Sequence, residues 1–225
     1  RPDKNGISEP APQQERREGR RASDQIKPLI NKILSAESTK DLLFSLTEDL
    51  KNIFKSEAVS IYSLDRGKRQ LYACNYQNPG EMDFRLDISP KSLAGFCAAT
   101  GKSLNIVDVY SSDELKQYDP NLIHNKTWDN LTHIKTSSAL VVALPYEKRV
   151  VGVLQVLNKT GEDRFSEGDL RQAKELATTL GHAMVKLEIE EVEAKFKATA
   201  HAIHSAKNSN DILLGLKETI MDLFD

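Results

Sequence analysis

Apolar residues recur along the chain with two different periods, and the changes of period divide it. From Ile26 they fall at helical spacing, at Ile26, Ile30, Ile33 and Leu34, then at Leu42, Leu43, Leu46, Leu50, Ile53 and Phe54. Ser38 with Asp41 three residues on resembles a capping box for the second of these helices. The period then changes to two. Ala58–Leu64 alternates, Asp65-Arg-Gly67 supplies turn chemistry, and Gln70–Tyr76 reads as the hairpin partner. A weaker strand is Asp83–Ile88, with Phe84, Leu86 and Ile88 on one face. Ser92–Thr100 reads as a short helix stopped by Gly101, and Ser103–Val107 as a short edge strand.

Residues 108–137 are polar and irregular, with a helix expected near 121–131. Two strongly β-prone runs follow, Ser138–Tyr146 and Val150–Leu157, close enough to form a tight hairpin through Glu147-Lys148-Arg149. Pro145 belongs at a strand end, where its missing N–H does no harm. Ser166 with Asp169 is a second box-like helix start, and from Leu170 to about Ala206 the pattern stays helical. One stripe of that helix is Leu176, Leu180, Met184 and Leu187; an offset stripe is Ile189, Val192, Phe196 and Ile203. Such a helix is longer than one core of this size needs. It is expected to cross to another domain or pair with a copy of itself.

The two ends of the folded part repeat. Aligned at a constant offset of 170, residues 33–54 and 203–224 are identical at eight of 22 positions. The matches are Ile33/Ile203, Ser35/Ser205, Ala36/Ala206, Asp41/Asp211, Leu43/Leu213, Leu46/Leu216, Glu48/Glu218 and Phe54/Phe224. A unit of about 170 residues is therefore expected to begin again. The expected organisation is an arm at 1–23, a folded unit at 24–188, and at 189–225 a connecting helix with the first helix of a second unit. The absence of an initiator Met and the end inside a helical pattern also suggest a piece of something longer.

Composition narrows the function classes. The 225 residues carry 31 Lys and Arg against 33 Asp and Glu, a net charge of −2, which excludes a broadly basic nucleic-acid binder. The arm contains Arg16, Arg17, Arg20 and Arg21, but Glu15 and Glu18 dilute them, and it lacks the apolar residues to order itself. Two cysteines, Cys74 and Cys97, make neither a disulfide framework nor a multi-cysteine zinc site and fit a reducing, cytoplasmic compartment. No apolar run is long enough for a membrane span. His201 and His204 are three apart on a helix without an evident third ligand, so no metal site is expected. Phosphate-binding loop, nucleophile elbow and zincin patterns are missing, and the chain is expected not to be an enzyme.

Gln155 is the one polar side chain in Val150–Leu157. A buried amide without partners costs about 1–3 kcal/mol, so it faces a polar cavity or bonds a nearby backbone group. Tyr62 reaches the same sheet from the first strand. Trp128, the one Trp, lies in the variable segment, as a lid over a pocket or a packing anchor.

From about residue 40 to 188 the chain resembles a GAF domain, a small-molecule sensory module. The resemblance is carried by Ala58-Val-Ser-Ile-Tyr62, by the Gly95-Phe96…Thr100-Gly101…Ile106-Val-Asp108 passage, and by the last two strands through Asn158-Lys159. It implies an α+β fold: a central antiparallel sheet of about six strands with helices packed on it, plus long terminal helices. Asn158, Lys159, Phe165 and Asp169 also resemble the Asn-Lys…Phe…Asp-Glu signature of cyclic-nucleotide-binding tandem GAF domains, with Leu170 in place of the final Glu. In the family this motif supports the domain from outside the pocket. In their own right Asn-Lys ends a strand, and Phe165 before Ser166 forms a hydrophobic staple.

The resemblance implies a ligand between one sheet face and the short helices. Gln155 falls where such relatives can carry a pocket Glu. Leu93 and Ala94 match a pair over which a base can lie, Phe96 would stack or fill core, and Thr136 matches a hydroxyl position, with Ser138 beside it. Asp108 is expected to cap the following loop. Relatives that reduce methionine sulfoxide use several cysteines, and bilin-binding relatives attach the pigment through a Cys beside a His; neither pattern occurs here. The expected function is thus a regulatory sensor of a small molecule, such as a cyclic nucleotide. It would signal through its long helices, as a homodimer with a parallel helix interface, to a downstream effector in the same chain. The alternative is a ligand-free dimerisation or protein-interaction module of a larger signalling or secretion-ATPase protein.

Overall fold

The computed structural model describes residues 26–205 and 217, apart from 66, 75–82, 125, 127, 128 and 130–134. Helix α1 (26–34) leads into α2 (Thr39–Phe54), then strands β1 (Ser56–Asp65), β2 (Gln70–Cys74) and β3 (Asp83–Asp87). The chain continues through α3 (Leu93–Thr100), β4 (Leu104–Ile106), α4 (Ser112–Tyr118), β5 (Ala139–Tyr146), β6 (Arg149–Lys159) and α5 (Glu167–Ser205). The six strands form one antiparallel sheet in the order β3-β2-β1-β6-β5-β4. The expected α+β class, the hairpins and the edge position of β4 are all present. The repeat beyond Ser205 and Trp128 lie outside the described residues.

Both faces of the sheet are buried, which is why β5 and β6 read as nearly continuous apolar runs rather than as alternation. On one face Val59, Ile61, Leu140, Val142, Leu144, Leu154 and Val156 pack beneath α1, α2 and α5. On the other, Tyr62, Leu71, Val141, Val153 and Leu157 pack against α3 and the segment holding Val109, Leu115 and Leu122. The phase of β6 slips near Val151. Leu144 pairs with Gly152 but Pro145 with Val150, so the chain bulges where Pro145 could not donate to the ladder.

The helices end and begin as their residues dictate. Ser92 caps α3, its hydroxyl accepting from the Gly95 N–H at 3.0 Å, and Gly101 closes the helix with φ of 69°. Ser166 and Asp169 exchange bonds reciprocally at the start of α5: the Ser166 N–H donates to the Asp169 carboxylate at 2.7 Å and the Asp169 N–H to the Ser166 hydroxyl at 3.1 Å. The helix expected near 121–131 falls partly outside the described residues, while in the polar stretch a helix lies at Ser112–Tyr118. Its signal is Ser111 three residues before Glu114, the capping-box spacing, and the Ser111 hydroxyl accepts from the Glu114 N–H. No described helix is long and apolar enough to cross a membrane.

Helix α5 lies close on the sheet because of Gly181. A Cβ there would come within 2.3 Å of the Pro145 carbonyl oxygen, and that backbone cannot swing aside. Gly181→Ala should lift α5 from β5 and destabilise the domain by about 1–3 kcal/mol, measured by urea denaturation.

Candidate functional site

The face of the sheet away from α5 carries a small polar group inside an apolar lining. Gln155 sits between Val153 and Leu157 along β6 and pairs across the ladder with Ser60 on β1 and Val141 on β5. Its exposure is 9%, so most of the side chain is taken out of water. Tyr62 lies two residues beyond Ser60 and is buried. Burial pushes its phenol up to about 12, against a weaker opposing pull from the Ser60 hydroxyl. Tyr62 is therefore a neutral hydrogen-bonding group here rather than an acid or base. Leu93, Ala94 and Phe96 of α3 close over the same face. The first turn of α3 presents backbone N–H groups that have no intrahelical acceptor.

A second polar cluster is centred on Asp129 and includes Thr136. The Asp129 carboxylate accepts from the Tyr110 hydroxyl at 2.5 Å and from the Thr136 hydroxyl at 2.6 Å, and it pairs with His124 Nε2 at 3.1 Å. His124 also stacks edge-on against Tyr110, and the ammonium groups of Lys126 and Lys135 lie 5.0 and 5.4 Å from the Tyr110 ring centre. The His124 and Asp129 side chains are about nine-tenths buried. Burial disfavours the Asp129 carboxylate, but the bonds from Thr136, Tyr110 and His124 outweigh it and hold its carboxyl below the ordinary value. The same contact raises the Tyr110 phenol. The hub joins the turn after β4 to the segment leading into β5. Nothing in the spacing of Tyr110, His124 and Asp129 marks them in the sequence; only the fold brings them together.

The Asn-Lys motif forms a clamp behind this site. Asn158 is buried with φ of 59°, a left-handed conformation that asparagine tolerates better than most residues. Its Oδ1 accepts from the Ser137 N–H at 2.7 Å, and its Nδ2 donates to Glu57 at 2.7 Å and to the Lys135 carbonyl at 2.9 Å. Lys159 makes a buried ion pair with Asp169 at 2.9 Å, its ammonium 5.5 Å from the Phe165 ring centre. The Lys159 N–H donates to the Ser138 hydroxyl, so Ser138 takes part in the clamp. The motif thus ties the end of β6 to the start of β5 and to the first turn of α5.

The outer edge of β4 is sealed in an unusual way. The Tyr118 hydroxyl accepts from the Asn105 N–H and donates to the Asn105 carbonyl, while Glu114 accepts from the Val107 and Asp108 N–H groups. These side chains satisfy the backbone groups that an edge strand leaves open. Asp108 accepts from the Tyr110 N–H, the loop-capping role expected of it. Outside this edge runs an open groove of about 1790 Å³, lined by residues such as Lys102, Asn105, Arg149, Arg164 and Lys174. None of the described ligand candidates from the sequence lines it. Cys97 is buried, and burial pushes its thiol up to about 12, far from the thiolate that nucleophilic sulfur chemistry requires.

The chain belongs to the GAF domain family, whose model matches residues 38–184, more than half of its length. Its fold is shared with the GAF domain of a phosphoenolpyruvate-protein phosphotransferase from Coxiella burnetii, at 15% identity and a TM-score of 0.62 over 76% of this chain and 96% of that one. It is shared also with the free methionine-R-sulfoxide reductase of Neisseria meningitidis, at 20% identity and a TM-score of 0.59 over 75% and 91% of the two chains. In sequence it is 24% identical over 180 residues to a probable 3',5'-cyclic phosphodiesterase of Caenorhabditis elegans, covering 72% of this chain and 23% of that protein. The chain thus spans less than a quarter of this relative. GAF domains are sensory and regulatory modules, and the fold also serves enzymes.

Two variants probe these networks. Asn158→Ala removes the clamp and places alanine in a left-handed conformation, and should cost about 2–4 kcal/mol by chemical denaturation. Asp129→Asn should lose a pH-dependent part of stability. A carboxyl held below its unfolded value stabilises the fold above about pH 4, and this is lost as pH falls through the folded value. The stability difference between wild type and Asp129→Asn should therefore shrink from pH 7 toward pH 3.

Proposed function

We propose that this chain is a regulatory sensor that binds a small molecule between the Gln155 face of the sheet and α3. The observation that carries this reading is the polar set of Gln155, Ser60 and Tyr62 beside an otherwise apolar lining. Hydrophobic lining with a few placed polar groups is the usual composition of a small-molecule site. The amide of Gln155 can both donate and accept, which suits the edge of a heterocyclic base, and the first turn of α3 suits an anionic group. A cyclic nucleotide is the first ligand to test, because the C. elegans relative is a probable 3',5'-cyclic phosphodiesterase.

Binding would act through the loops. The Asp129 hub already engages the Thr136 hydroxyl, so a ligand that recruits Thr136 competes with that bond and favours a different loop arrangement. The clamp of Asn158, Lys159 and Asp169 couples the end of the sheet to the first turn of α5. Along α5 the change would reach a following unit of the same kind and a downstream effector in a longer cytoplasmic protein. A second reading is a ligand-free interaction module, favoured by the side chains of Phe96, Tyr62 and Leu71 that already fill the face.

Calorimetric titration with cyclic AMP, cyclic GMP and a metabolite panel separates the two. On the sensor reading one compound binds and raises the melting temperature, and Gln155→Leu abolishes that response while remaining folded. No binding across the panel, with Gln155→Leu as stable as wild type or more so, supports the interaction module instead.

A further inference from the structure

The open groove beside β4 is separate from the Gln155 face. At about 1790 Å³ it exceeds the roughly 300–1000 Å³ of a small-molecule pocket, a size that suits a stretch of polypeptide better than a metabolite. Five cations line it: Lys102 just after α3, Lys148 and Arg149 at the β5–β6 turn, Arg164 before α5, and Lys174 on α5. None of the five is in an ion pair among the described residues. Four carboxylates share the lining, and two of them are engaged. Glu114 accepts from the Val107 and Asp108 N–H groups, and Glu167 stands in the first turn of α5, where the helix dipole favours it. Glu147 and Glu162 are left to offset five positive charges.

Two further features of the lining suit a peptide rather than a polyanion backbone. Val107 is a large apolar side chain left 41% exposed. Asn105 donates from Nδ2 to the Phe165 carbonyl at 3.1 Å, while its buried Oδ1 has no donor. A peptide carries an N–H at nearly every residue, and a sugar-phosphate backbone carries none. The outer backbone of β4 is already closed by Tyr118 and Glu114, so an occupant is held here by charge and side chains and not by adding a strand. We propose that this groove docks an extended acidic segment of a partner protein, its carboxylates against Lys102, Arg149, Arg164 and Lys174 and an apolar side chain against Val107. Because Lys174 belongs to α5 and Lys102 follows α3, an occupant bridges the long helix to the end of the short one. Such docking does not depend on a ligand at the Gln155 face.

Fluorescence anisotropy of the 225-residue chain with labelled peptides of about ten residues tests the site, since an extended segment of that length spans about 33 Å. One peptide repeats Glu-Ser-Val and one Lys-Ser-Val, and a single-stranded oligonucleotide of similar length is the third probe. The acidic peptide should bind, the basic one should not, and affinity should fall as salt rises. Lys102→Glu and Lys174→Glu, on different elements of the groove wall, should each weaken binding by about tenfold while far-UV circular dichroism and the melting temperature hold. Lys91→Glu, at an exposed lysine outside the groove, makes the same change of charge and should leave binding unchanged. No binding of the acidic peptide overturns the proposal. An equal loss in Lys91→Glu overturns it too, by reducing the effect to net charge. Tighter binding of the oligonucleotide than of the acidic peptide overturns the assignment to a protein partner. A failure of the Gln155 face to bind any ligand overturns the sensory reading and not this one.

Discussion

Burial of the central sheet on both faces is the constraint on which the rest of this structure depends. Strands β1, β5 and β6 must satisfy one layer of helices through Ile61, Val142 and Leu154 and another layer through Tyr62, Val141 and Val153. An antiparallel sheet with one wet face could carry a polar group at every second position at little cost. Here each polar side chain pointing into either layer loses water and must find a partner or a ligand. Gln155 stands out for that reason, and the same logic makes the Asn158 clamp necessary: the polar ends of the buried strands have to be closed by side chains rather than by water.

Those closures differ in what they join. Asn158, Lys159 and Asp169 connect sheet and α5, rigid elements whose relation is set by close packing at Gly181 and Pro145. The Asp129 hub connects loop to loop through hydroxyl and imidazole groups gathered on one carboxylate. Glu114 and Tyr118 play a third role, sealing β4 so that the sheet does not recruit another strand at that edge. The fold is therefore closed between the sheet and its long helix by close packing, and between its loops by hydrogen bonds.

Most of the architecture was legible because the signals are local. Alternation at Ala58–Leu64, the Ser92 and Ser166 caps, Gly101 and the long apolar run of β6 each concern residues within a few positions of one another. The helix at Ser112–Tyr118 carried the same kind of signal in Ser111 and Glu114, but polar content hid it among loop residues. Gln155 and Tyr62 could be selected as candidates because a polar atom in a buried strand breaks a pattern. Tyr110, His124 and Asp129 break no pattern, since each is ordinary in a polar loop, and their meeting depends on how that loop folds back.

By itself, the sequence determined the class of fold, the order of its elements and the family signature, because hydrophobic period, capping and turn chemistry act over short distances along the chain. The tertiary structure decided which polar residues share a site, because hydrogen bonds between Tyr110 and Asp129, or Asn158 and Glu57, join groups 19 and 101 residues apart. It also decided which half of one continuous helical pattern is core and which is left open to solvent. Leu180 and Phe196 follow the same local rules, and only the presence or absence of a packed sheet beneath them makes one buried and the other exposed.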